Sequence, residues 1–193
     1  MKRVILITGT PGIGKTTTAT SLTEKLGATY INLTDYVKTH KLTLGKDKKR
    51  QTLIVNEKTL TNHLYESINN INTDIIIDGH YAAAITPPNV VTHVFVLRRN
   101  PIELKKQMQH KGFNKTKINE NISAEILDNC LIEALQNHQN KVYELDITGQ
   151  TTETIVNTII NALNNNKTYT PGSIDWISIL EQEGLTDKYL LLS

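Results

Sequence analysis

Cysteine is all but absent from this 193-residue chain: Cys130 stands alone. One thiol excludes an intramolecular disulfide and a cysteine-built metal site, and its place after Leu127 in an apolar helical pattern assigns it to packing. Aromatic residues make up only 5%, with a single Trp, so a core must rest on Ile, Leu and Val. There is no excess of one charge. The 21 Lys and Arg against 19 Asp and Glu leave a formal charge of +2, too little for a whole-protein grip on nucleic acid. No apolar run approaches the roughly 20 residues of a membrane span. The basic-then-apolar start, Met1-Lys2-Arg3 before residues 4–7, is too short for a signal peptide. These absences predict a cytoplasmic protein with no membrane partner, built as one domain.

What the sequence does contain is alternation. Short β-branched runs at 4–7, 29–32, 75–78, 93–98 and 142–147 read as five buried strands. Between them, residues 16–26, 56–68, 101–109, 123–138 and 151–163 carry apolar residues at helical spacing. Gly27 suits a C-cap, Pro101 a first helical position and Ser123 an N-cap. Strand-helix alternation of this kind predicts an α/β fold, a parallel sheet covered by helices on both faces. Residues 38–50 are charged and poor in large apolar groups, and a mobile segment is expected there. Residues 110–121 are polar and basic and contain Lys111-Gly112-Phe113, the pattern of a hinged lid.

The stretch Gly9-Thr10-Pro11-Gly12-Ile13-Gly14-Lys15-Thr16 matches G-x-x-x-x-G-K-[ST] in full. It lies between a predicted strand and a predicted helix, the context that makes the pattern a P-loop. Gly12 and Gly14 let the backbone wrap a phosphate with its N–H groups, and the helix N-terminus adds a favourable dipole. In that arrangement Lys15 reaches the β- and γ-phosphates and Thr16 offers its hydroxyl to Mg²⁺. Thr17, one residue deeper, lies near the α-phosphate. The chain is therefore expected to bind ATP with Mg²⁺.

In a parallel sheet, ligands gather at the carboxyl ends of strands. Asp78 ends the run Ile75-Ile76-Ile77 and is expected at that edge as the acid that holds Mg²⁺ through water. His80 either orients a water or a phosphate there or caps the turn. Charge neutralisation and exclusion of water during phosphoryl transfer call for basic residues over the phosphates. Arg98 and Lys111 are the candidates, whereas Lys105, Lys106 and Arg99 read as a solvated face.

The P-loop, Asp78-Gly79-His80, Val96-Leu97-Arg98, Lys111-Gly112-Phe113-Asn114, Lys117-Ile118-Asn119-Glu120-Asn121 and Ala124-Glu125-Ile126-Leu127-Asp128 follow one another in a familiar order. In this order the chain resembles the adenylate kinase isoenzyme 6 family, in its archaeal branch, over residues 1–163. The resemblance implies a P-loop NTPase fold of the nucleoside monophosphate (NMP) kinase type, with a five-stranded parallel sheet. It implies a core over 1–166, with an NMP-binding insert at about 32–55 and a lid at about 110–120. It also implies two activities. One is broad-specificity phosphoryl transfer from ATP to AMP or another NMP. The other is ATP hydrolysis that assists small-subunit rRNA maturation on a pre-40S or 30S-type particle, through a ribosomal protein of the uS11 type.

Against the family pattern, Asp35 falls where an acceptor-site acid is expected, and Lys38 replaces an arginine. Gln107 and Lys111 replace two lid arginines. Lysine neutralises phosphate charge without the two-pronged contact of arginine, which tilts the balance from fast NMP phosphorylation towards hydrolysis. Arg98, Arg99 and Arg50 are the arginines left to compensate. The competing readings are an assembly ATPase and a kinase for another small metabolite. A GTPase is disfavoured, because Asn140-Lys141 continues into Val142-Tyr143 and not into a guanine signature. The basic cluster at 46–50 suits either RNA contact or a solvated loop. The tail at 167–193, with Trp176 as its anchor, either packs on the core or docks a partner.

Overall fold

The computed structural model describes residues 2–47, 52–165 and 170–190. Strand β1 (Val4–Thr8) leads through the glycine loop into α1 (Lys15–Leu26), which Gly27 closes in the left-handed region. Strand β2 (Thr29–Asn32) then gives α2 (Leu33–Thr39), a hairpin of β3 (Thr43–Asp47) and β4 (Thr52–Val55), and α3 (Glu57–Asn70). Next come β5 (Ile75–Asp78), the short α4 (Ala82–Ile85), β6 (His93–Arg98) and α5 (Pro101–His110). Helices α6 (Lys115–Ile126) and α7 (Asn129–His138) precede β7 (Val142–Asp146) and α8 (Thr152–Asn165). Two tail helices follow, α9 (Trp176–Gln182) and α10 (Thr186–Tyr189).

The sheet runs β2-β5-β1-β6-β7, with every pairing parallel. This is the predicted five-stranded α/β architecture, and β1 at its centre places the glycine loop at the middle of the carboxyl edge. The two-residue period of a strand divides the core. Ile5 and Ile7 face one side with Phe95, Leu97 and the apolar stripe of α8. Val4 and Leu6 face the other with Leu60, Leu64 and Ile68 of α3. Each of those α3 side chains is essentially fully buried and contributes on the order of 1.5–3 kcal/mol.

Local chemistry sets the helix starts. Asn32, Asn56, Asn100 and Asn114 each accept a backbone N–H of the following first turn through the side-chain oxygen. Within 38–47, α2 ends at Thr39 and β3 follows, pairing antiparallel with β4. Lys48, Lys49 and Arg50 lie outside the described residues. Residues 110–121 are mostly helical, because the Asn114 cap starts α6 at Lys115. The single helix expected over 123–138 is two helices, broken at Leu127–Asp128. The break has a partner in β6: Arg98 Nη2 donates to the Glu125 carbonyl at 2.9 Å and also to the Asp128 carboxylate. The guanidinium takes a carbonyl from the helix end, and Asp128, at φ 57°, tolerates the left-handed turn that follows.

The tail packs on the core. Trp176, Leu180 and Tyr189 are buried in the same cluster as Met108, Ile118, Ile122 and Ile126. Among the described residues, no helix is long and apolar enough to cross a membrane.

Candidate nucleotide site

Gly9, Gly12 and Gly14 all take positive φ, at 137°, 90° and 117°. Two of them are also sterically required. A Cβ on Gly9 would sit 2.5 Å from the Leu97 carbonyl oxygen, and one on Gly12 2.9 Å from Met108 Cγ. The loop therefore curls tightly against β6 and α5, and α1 begins directly at Lys15, with its free N–H groups at the loop. Half-buried Lys15 donates from Nζ to the carbonyls of Gly9 and Thr10 at 2.8 and 3.1 Å. Burial lowers its pKa, and the nearby charge of Lys111 adds to the shift, while the charges of Asp78 and Glu125 oppose it. Lys111, just past α5, donates to the Gly12 carbonyl at 3.3 Å. Thr16 and Thr17 open to solvent on the first turn of α1.

Asp78 ends β5 beside the loop, in register with Ile7 of β1 and Asn32 of β2. It is 3% exposed and accepts from the Tyr30 hydroxyl at 2.8 Å and from Asn32 Nδ2 at 3.1 Å. Both donors are neutral, and among the described residues no cationic side chain pairs with it. A buried carboxylate whose charge is left over in this way fits a divalent cation shared with the Thr16 hydroxyl.

His80 follows on the turn. Its ring stands edge-on to Tyr81 at 4.7 Å, and its carbonyl accepts from Thr8 Oγ1 at 3.3 Å. Partial shielding from water, then the charges of Lys15 and Lys117, bring its pKa down from 6.5 to about 4. The imidazole is neutral at physiological pH and has a free ring nitrogen to accept a proton or a hydrogen bond.

Cavities flank the loop. One of about 980 Å³ is lined by Gly14, Thr17, Arg99, Lys111, Gln150 and Thr151. Another, of about 410 Å³, is lined by Thr10, Pro11, His80, Tyr81, Phe113 and Lys117.

A family described as an AAA domain matches residues 5–128, from β1 to the break after α6. A protein named "Putative adenylate kinase" from Pyrococcus furiosus is 38% identical over 180 residues, covering 93% of this chain and 94% of that one. Its namesake from Methanocaldococcus jannaschii is also 38% identical, over 89% of this chain and 92% of its own. The chain belongs to this archaeal adenylate kinase family. Among solved structures, a shikimate kinase from Bacteroides thetaiotaomicron matches 83% of this chain and 98% of its own, with a TM-score of 0.57 and 18% identity. That likeness concerns the fold alone.

Within this family member, Gly12, Gly14, Lys15, Thr16, Thr17, Asp78, His80 and Lys111 converge on one sheet edge. Asp35 and Lys38, the expected acceptor-site pair, are well exposed on α2 and pair with each other at 3.4 Å. Arg98 is corrected. It is 1% exposed, and its nitrogens are committed to Glu125, Glu144 and Asp128, so it presents no free fork to a phosphate. These carboxylates more than offset the effect of burial and raise its pKa. Arg99 is corrected as well. It is buried against Glu103 and lines the larger cavity, and it is not a solvated face. Sequence reasoning gave no role to Tyr81, which lines the smaller cavity with Lys117, or to Glu125 and Glu144. A signal for Glu125 was present: a carboxylate beside Ile118, Ile122 and Ile126 on the apolar stripe of its helix needs a buried partner.

Proposed function

We propose that the protein is a broad-specificity NMP kinase that transfers a phosphoryl group from ATP to AMP or a related NMP and also hydrolyses ATP. The observation that carries this reading is the pair of cavities that share the phosphate loop as a wall. A donor nucleotide in the larger cavity presents its phosphates to Gly12, Gly14, Lys15, Thr16 and Thr17. An acceptor in the smaller one lies against Thr10 and His80. Transfer along the line between them needs placement and charge neutralisation more than acid–base chemistry.

In this reading Lys15 leaves its two loop carbonyls for the β- and γ-phosphate oxygens, and Lys111 closes from α5 over the same charge. Thr16 and Asp78 would hold Mg²⁺, which neutralises phosphate charge when bound. Asp35 and Lys38, the expected acceptor-site pair, line neither cavity, so in this reading the acceptor is held by the residues of the smaller one. The name carried by the archaeal relatives supports a nucleotide kinase.

His80 supports hydrolysis as the second activity, since a neutral imidazole at the loop is able to orient water. The family resemblance extends this to an ATPase that assists small-subunit rRNA maturation with a uS11-type ribosomal protein. To test the reading, the protein is incubated with ATP and Mg²⁺, with and without a panel of NMPs, and NDP and free phosphate are quantified. NDP formation that depends on the NMP is expected. Free phosphate with no NDP would replace the kinase with an ATPase, and transfer only to a non-nucleotide acceptor would replace it with a metabolite kinase.

A further inference from the structure

Glu125 is 2% exposed and has no part in the chemistry above, yet it joins three distant parts of the chain. Its Oε2 accepts from the Thr10 hydroxyl of the phosphate loop at 2.5 Å. Its Oε1 accepts from Arg98 Nε at 2.9 Å, from the Arg99 backbone N–H at 3.1 Å and from Trp176 Nε1 at 3.1 Å. The Trp176 ring also lies 6.0 Å from the Arg98 guanidinium carbon. Arg98 donates onward to Glu144 at 2.5 Å, and the other oxygen of Glu144 accepts the backbone N–H groups of Gly172 and Ser173 at 2.8 and 3.1 Å. At the opposite end, the carbonyl of Thr10 is one of the two that hold Lys15. A path of direct hydrogen bonds therefore runs from the tail, through Glu125 and Thr10, to the phosphate-binding lysine.

We propose that Glu125 is a positioning residue that couples the phosphate loop to the C-terminal segment 170–190. Nucleotide phosphates that draw Lys15 off the Thr10 carbonyl change the setting of Thr10, and the Thr10–Glu125 bond carries that change to Trp176. The coupling is reciprocal: docking of the tail holds Thr10 and Lys15 in place and strengthens nucleotide binding. In the dry surroundings of Glu125 each of these bonds is strong and has no water to replace it. The proposal rests on the reading of the loop as a nucleoside phosphate site.

Trp176 is the only Trp of the chain, so tryptophan emission reports on this network alone. MgADP is titrated into the full chain while emission is followed, and binding is measured in parallel by calorimetry. The expected result is an emission change with the calorimetric midpoint. In Thr10→Val, which keeps the branched shape but loses the hydroxyl, the emission change disappears and affinity falls about tenfold, the scale of a lost hydrogen bond to a charged group. Thr10→Ser restores both. Calorimetric binding by the wild type without an emission change overturns the proposal, as does an undiminished change in Thr10→Val. An absence of calorimetric binding by the wild type overturns the nucleotide reading itself and the coupling with it. Should Thr10→Val fail to fold, Trp176→Phe tests the reverse direction by calorimetry. There a severalfold weaker MgADP affinity supports the coupling, and an unchanged one overturns it.

Discussion

The Tyr30 hydroxyl donates to the Asp78 carboxylate at 2.8 Å, and with Asn32 it holds the acid at the mouth of the phosphate loop without cancelling its charge. Strand β2 thus serves the site by orienting a side chain of β5. Asp78→Asn keeps the shape and one acceptor oxygen, which can face Asn32 while its amide N–H donates to the Tyr30 hydroxyl, but loses the charge that suits Mg²⁺. Turnover is expected to fall about 100-fold or more, the scale of a removed electrostatic contact, with the melting temperature nearly unchanged. Tyr30→Phe is expected to be milder, about tenfold, because one hydrogen bond to a charged group is lost. Steady-state rates and thermal melts of the two variants check both statements.

His80 yields a prediction about pH. Its folded pKa of about 4 lies below its ordinary 6.5, so the unfolded chain binds a proton more readily than the folded one between those values. The His80 contribution to stability is complete above about pH 6.5 and is lost as pH falls towards 4. An NMR titration of the ring is expected to show no charging between pH 5.5 and 8. Hydrolysis and transfer should then have no His80 inflection in that range. His80→Asn is expected to lower free-phosphate release more than NDP formation, and equal losses in both would remove its water-positioning role.

Arg98 acts on the fold more than on the chemistry. Arg98→Met leaves Glu125 and Glu144 buried without their cation, a loss of about 3–5 kcal/mol. Urea unfolding should show the loss directly, together with fraying of the turn at Asp128 that Arg98 holds. A variant of wild-type stability with slow turnover would return Arg98 to a catalytic role.

Gly9→Ala tests the closeness of the loop to β6. The new methyl meets the Leu97 carbonyl, which is backbone and unable to step aside, and φ of 137° is unfavourable for alanine. A destabilisation of about 1–3 kcal/mol is expected, with weaker nucleotide binding. Gly14→Ala has open space around its Cβ position, so its cost is conformational only and should be smaller.

Much of the site is written locally. The β-branched run of β1, the glycines after it and the lysine that opens α1 lie within the 12 residues 4–15, so strand, loop and helix follow from neighbouring sequence. Asp78 is legible for a similar reason, because a polar residue that ends a wholly apolar strand of a parallel sheet must emerge at the carboxyl edge. Caps such as Asn114, which starts α6 within the polar segment 110–121, are also local signals. They were outweighed by the polar composition around them.

What the sequence alone determined is the α/β alternation, the phosphate loop and the acid at the edge of the sheet, since each rests on contacts between near neighbours or on strand periodicity. Tertiary structure alone decided the roles of Arg98, Glu125 and Trp176. Thr10 and Glu125 are 115 residues apart, and Trp176 lies a further 51 beyond. An arginine after a strand looks the same in sequence whether it faces a phosphate or three carboxylates. Only the folding of α6 over the end of β6 and the pairing of β7 alongside it brought those carboxylates within reach, and burial then left the guanidinium no other partner.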